Sequence, residues 1–157
     1  MIAWAVVRLS IMLAVGIPQC TLKEVEDRIQ RGNDTVFVLH FWATWCKTCD
    51  EDLPTLQQVQ KTTFSRPVRV ILISLDQPAN HQTLVEPWLR RKGIRLPCVL
   101  LDTYADDSWT ARVDSSWTGS IPATLITDAG ATRRFFFDRP CSYAVLRSSI
   151  SSFHTQR

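Results

Sequence analysis

An apolar run suited to a β-strand, Val36 to Phe41, ends in the aromatic-rich stretch FWATWCKTC, and a polar segment with helically spaced apolar residues, Asp50 to Lys61, follows it. A strand apolar on both faces belongs inside a sheet, so Cys46 and Cys49 are delivered to a strand-to-helix junction. At a helix N-terminus, unpaired backbone N–H groups and the macrodipole favour a thiolate at Cys46. Cys49 lies one turn on, close enough to attack a mixed disulfide formed on Cys46. A free thiol has a pKa of about 8.5, so lowering that value speeds attack at neutral pH. The spacing therefore points to dithiol redox chemistry, with Cys46 as nucleophile.

The rest of the chain supplies the frame. Thr21 to Arg31 carries Leu22, Val25 and Ile29 at helical spacing, capped by Thr21 and closed by Gly32. A strand is predicted over Thr35–Trp42, and a helix from about Cys46 to Thr63, kinked rather than ended by Pro54. Val68–Leu75 reads as a second buried strand, Gln82–Lys92 as a helix stopped by Gly93, and Leu96–Leu101 as a short strand. Tyr104–Val113 reads as a helical turn or short helix. Strands Ala123–Thr127 and Arg133–Phe137, joined by Asp128-Ala129-Gly130, form a hairpin. Pro140–Phe153 closes the chain as a helix with Val145, Leu146 and Ile150 buried. This order predicts an α/β fold, a central mixed β-sheet with helices on both faces.

At 157 residues the chain suits one domain with a proper core. A net charge of +3 with scattered basic residues argues against nucleic-acid binding. Five cysteines are too few and too irregular for a disulfide-stapled scaffold, and Cys20, Cys98 and Cys141 read as small buried or half-buried thiols. Residues 1–16 read as a signal peptide: Arg8, a short apolar core from Leu9 to Ile17, and a small-residue site at Ala14-Val15-Gly16. An uncleaved N-terminal anchor is the alternative, and residues 17–157 form the domain. Ile17-Pro18-Gln19 lacks the small residue that lipid attachment to Cys20 prefers.

The segment WATWCKTC, with Asp52 and Pro54 after it and IPAT at 121–124, resembles the active-site segments of the thioredoxin superfamily, and most of all its TlpA/ResA branch of extracytoplasmic thiol-disulfide oxidoreductases. The resemblance runs over roughly residues 21–150 in element order and implies a thioredoxin-like fold. It implies that Cys46 is the more exposed cysteine, Cys49 the buried resolving one, and Pro122 a cis-proline. The backbone of Ile121 would then pair with an extended substrate strand beside Cys46.

Other residues take roles by the same resemblance, each against a plainer alternative. Asp52 replaces a glutamate that exchanges protons with the second cysteine; the alternative is a solvated acid near a helix start. His40, six residues before Cys46, stands where thioredoxin has a buried aspartate. It is a proton relay or, the commoner case, a core histidine with satisfied nitrogens. Lys47 and Thr48 tune the potential: a cation beside Cys46 favours the thiolate and so the reduced form. The family often has proline at the Thr48 position. Trp42 and Trp45 would wall the dithiol as an apolar docking rim. Trp88, Trp109 and Trp117 read as packing, and Asp50 and Glu51 as solvated. His81 and His154 are isolated, so no metal cluster is read.

The sequence thus reads as a secreted or periplasmic thiol-disulfide oxidoreductase in cell redox homeostasis. It needs no cofactor beyond the redox-active Cys46–Cys49 disulfide. Its expected partners are protein thiol or disulfide substrates and a membrane-bound electron donor, with the protein itself a monomer. The alternatives are a dithiol oxidase or isomerase, a non-enzymatic copper- or zinc-binding module using Cys46, Cys49 and His40, and a cytosolic thioredoxin-like protein. Residues 17–34 are too few for the N-terminal hairpin common in the TlpA/ResA branch.

Overall fold

The computed structural model describes residues 16–131 and 133–153; the expected leader, apart from Gly16, and His154 lie outside them. Six strands form one sheet in the order β1-β4-β3-β2-β5-β6. These are β1 (Gln19–Cys20), β2 (Val36–Trp42), β3 (Val68–Ser74), β4 (Cys98–Leu101), β5 (Ala123–Asp128) and β6 (Phe135–Phe137). β1, β4, β3 and β2 run parallel, and β5 and β6 complete the sheet antiparallel. The mixed sheet expected from the element order is present. Edge strand β1, docked on β4, was not foreseen, because two residues carry no periodicity.

Every residue of β2 is buried, as befits a central strand covered on both faces. Val36, Val38 and Trp42 point into one apolar layer, filled by α2 (Lys47–Lys61), α3 (Glu86–Arg91) and α5 (Tyr143–Ser151). Phe37, Leu39 and Phe41 point into the other, filled by α1 (Leu22–Gln30) and α4 (Trp109–Val113). α1 starts as its sequence requires: Thr21 Oγ1 accepts from the Glu24 N–H, and Glu24 Oε2 accepts from the Thr21 N–H, satisfying two terminal donors.

Several expectations change in detail. The helix expected over Gln82–Lys92 begins earlier and irregularly, as a 3₁₀ turn at Pro78–Asn80, a π turn at His81–Val85, and only then α3. Pro87, near the start of α3, lacks an N–H and crowds the preceding turn, which accounts for the wider winding before it. Gly93 follows α3 with φ +67°, a conformation glycine adopts at no steric cost. β6 is confined to Phe135–Phe137, and α5 starts at Tyr143 with Ser142 as its cap. Within α5, Leu146 and Ile150 are buried as expected, but Val145 is 40% exposed. A residue adjacent to a buried position is turned about 100° away from it, and Leu146 holds the core side.

Candidate active site

Sheet register puts three loops together. β2 ends at Trp42, and its C-terminal end carries the loop that starts α2. β5 pairs antiparallel with β2 through Phe41 and Ala123, so the Ile121–Pro122 bond immediately before β5 lies beside that end. The bond is cis, as expected. On the other flank β3 pairs parallel with β2 through Ser74 and Trp42, bringing Asp76 alongside Thr44.

Cys46 is the N-cap of α2 and is disulfide-bonded to Cys49, with Cα atoms 5.3 Å apart. Cys46 Sγ accepts from the Cys49 N–H at 3.2 Å, so a helix-terminal donor already points at the sulfur that would carry charge. Both cysteines are buried, Cys46 at 7% exposure and Cys49 at 0%, so the order is the one the resemblance implies but the difference is small. Thr48 Oγ1 lies 3.6 Å from Cys46 Sγ, and Lys47 is exposed.

Around the pair, the expected roles divide. Trp45 is 69% exposed and available as a rim. Trp42 corrects the expectation: it is fully buried and packs on Trp88 at 5.0 Å, so it backs the dithiol from inside rather than walling it. Asp50 is not merely solvated but pairs with Lys92 at 2.5 Å, and the Lys92 ammonium also lies over the Trp88 ring. Asp52, three residues after Cys49, is buried, and its Oδ2 has no partner. Burial pushes its carboxyl up to about 6, against a smaller pull from the Cys141 N–H bonded to it.

His40 is fully buried on the α2 side of the sheet. Its Nδ1 pairs with Thr124 Oγ1 at 3.0 Å, while Nε2 has no partner. Burial lowers its pKa to about 3, so the ring is neutral at ordinary pH. Cys20, Cys98 and Cys141 are free thiols, with burial pushing Cys98 up to about 12 and Cys141 up to about 11. Among the described residues, no group of three or more His, Cys, Asp or Glu side chains is arranged to hold a metal ion.

Sequence reasoning missed Asp76, the residue that fixes the loop. Its carboxylate accepts from the Thr44 N–H at 3.0 Å, Thr44 Oγ1 at 2.6 Å and Ser74 Oγ at 2.8 Å. These bonds clamp the turn two residues ahead of Cys46 to the end of β3. An aspartate directly after an apolar strand was the available signal, but its partner lies 32 positions away.

Residues 16–132 match the AhpC/TSA family. The chain belongs to that family. Within this AhpC/TSA chain, 122 residues are 27% identical to the thiol-disulfide oxidoreductase ResA of Geobacillus thermodenitrificans, covering 74% of this chain and 64% of that protein. A stretch of 70 residues is 30% identical to the sporulation thiol-disulfide oxidoreductase A of Bacillus subtilis, covering 45% of this chain and 41% of the other. The chain thus spans less than two thirds of the length of either of these curated relatives. Among solved structures, a thiol:disulfide interchange protein of the thioredoxin family from Chlorobium tepidum superposes with a TM-score of 0.61 at 24% identity, covering 76% of this chain and 79% of that one. The thioredoxin-like fold read from the sequence is therefore the fold of this AhpC/TSA member.

Proposed function

We propose that this chain is a thiol-disulfide oxidoreductase that reduces protein disulfides outside the cytoplasm. The observation that carries the reading is the Cys46–Cys49 disulfide at the start of α2, with the Cys49 N–H aimed at Cys46 Sγ and Cys49 the more deeply buried of the two residues. The names of the ResA and sporulation relatives describe the same chemistry.

In the reduced protein, Cys46 thiolate attacks one sulfur of a substrate disulfide. A Cys46–substrate disulfide forms and the other substrate sulfur leaves as a thiolate. Cys49, having lost its proton, attacks Cys46 Sγ, closes the intramolecular disulfide and releases the second substrate thiolate. Two electrons pass from the dithiol to the substrate, and a second dithiol, on a membrane-bound donor, restores the reduced form. Asp52 is the group placed to take the Cys49 proton, since a carboxyl held at about 6 is mostly ionised at pH 7 and sits one turn further along the helix. The Ile121 backbone, next to Pro122 and beside the dithiol, is the edge that a substrate strand pairs with. His40 acts through position rather than contact, a neutral ring under α2. Residues 1–16 direct export, and the domain works as a monomer.

One observation favours a second reading, a dithiol oxidase or isomerase. The Thr48 hydroxyl beside Cys46 Sγ and the neighbouring Lys47 stabilise a thiolate and so raise the potential. The midpoint potential of the pair, from thiol alkylation in glutathione and dithiothreitol buffers, separates the two. A value near about −270 mV fits the reductase, one near about −120 mV makes the protein an oxidant, and absence of a two-electron transition removes both readings.

A further inference from the structure

A groove runs beside the dithiol on the flank away from Pro122. Trp45, Leu84 and Trp88 line it together with Thr44, Asp76 and Gln77. Its apolar members are held outward by the fold. The π turn at His81–Val85 precedes α3, and Val85 and Leu89 fill the core beneath. Leu84, 38% exposed, and the half-buried Trp88, four residues on, make a second apolar stripe that no element of the described chain covers. π turns are recurrent at functional sites. Trp88 is fixed from behind by Trp42 and from the side by Lys92, so this wall is preformed. The groove's one carboxylate, Asp76, already accepts three hydrogen bonds from Thr44 and Ser74. Gln77 adds a polar group to the lining, and Trp45, Leu84 and Trp88 supply the apolar area on offer.

The position of the groove says what would fill it. Trp45 directly precedes Cys46, the sulfur to which a substrate is bonded in the mixed disulfide. Consecutive residues of an extended chain advance about 3.3 Å each, so a chain bonded to Cys46 and paired at Ile121 on one side of its cysteine has the reach to lay a side chain from the other side, one to three residues on, over Trp45 toward this groove. We infer that the groove is a specificity subsite for a leucine- or phenylalanine-sized side chain flanking the attacked cysteine of a protein disulfide. This rests on the thiol-disulfide exchange proposed above and adds the substrate class.

The test uses the reduced full chain and three probes: glutathione disulfide, and two disulfide-cyclised peptides identical except for Leu or Asn beside one cysteine. Thiol release under single-turnover conditions gives a second-order rate constant for each. The Leu peptide is expected to react about tenfold faster than the Asn peptide, the scale set by burying one aliphatic side chain. Leu84→Asn should bring that ratio close to one, while Leu84→Met keeps it. Tyr104→Ser, which removes an 80% exposed aromatic elsewhere on the surface, should keep it too and so exclude general stickiness. Equal rates for the two peptides in the unmodified protein, or a preference that survives Leu84→Asn, overturn the subsite and leave the exchange chemistry standing. Failure to react with glutathione disulfide and with both peptides brings down both readings.

Discussion

Two buried titratable groups on the α2 side of the sheet, Asp52 and His40, respond to acid in opposite directions. Asp52 is held at about 6 against an ordinary 3.8, so the fold prefers the neutral acid. Its cost to stability is absent below pH 3.8, grows as pH rises, and is complete above about 6. Asp52→Asn keeps a carbonyl for the Cys141 N–H; it should raise the stability of the oxidised protein by about 1–2 kcal/mol near pH 8 and leave it unchanged near pH 3.5. His40 is lowered to about 3 from 6.5, so the fold prefers the neutral ring. Its contribution is complete above pH 6.5 and is lost as pH falls toward 3, at up to about 1.4 kcal/mol per pH unit. In the unmodified protein the two slopes oppose each other. Urea unfolding of Asp52→Asn should therefore show a loss between pH 6.5 and 4.5 that His40→Gln removes; a flat profile in Asp52→Asn would discard the His40 half of this account.

At the scale of elements, the two ends of the sheet divide the work. The C-terminal end of β2 carries the dithiol, while the opposite end is tied by Arg66. Its Nε bonds Asp34 in the turn before β2 at 2.8 Å, and its Nη1 bonds Asp128 at the end of β5 at 2.8 Å. Arg66 and Asp128 are both buried, so removing the cation leaves a charge without compensation. Arg66→Met should cost about 3–5 kcal/mol by urea unfolding, and adding Asp128→Leu should recover most of it. The potential of the distant dithiol should not move in either variant. In α5, Val145→Lys should change stability by no more than about 0.5 kcal/mol, whereas Leu146→Ala should cost about 2–5 kcal/mol. Strands β2, β3 and β5 were legible in the sequence because apolar runs of that length have few other places to go. The phase of α5 was not: Val145 and Leu146 are equally apolar, and only the docking angle chooses between them. Arg66–Asp128 was invisible too, since 62 residues separate the partners.

At the scale of the molecule, the described residues form two apolar layers that share one sheet, with Leu53 in the layer under α2 and Leu125 in the layer under α1. Because β2 lines both, neither layer can open alone without exposing the strand that holds the other. Leu53→Ala and Leu125→Ala should each lower stability by about 2–5 kcal/mol while leaving the urea m-value and the single transition unchanged. Two separated transitions in either variant would mean that the layers unfold independently. Among the described residues, no helix is long and apolar enough to cross a membrane.

Local order along the chain was enough for the α/β class, the Cys46–Cys49 site and the helix it caps. Each rests on residues within a turn or a strand of one another, where spacing alone sets geometry. The neighbours of that site came from the folded sheet. Pairing of β2 with β3 brings Asp76 to the end of that strand from a distant part of the chain, while Ile121 and Pro122, set there by pairing of β2 with β5, were placed beside Cys46 by resemblance and not by spacing. Burial then turns Trp42 inward, lifts the Asp52 carboxyl and leaves one nitrogen of His40 without a partner. Such features depend on what packs against a residue from elsewhere in the chain, which spacing along the sequence does not encode.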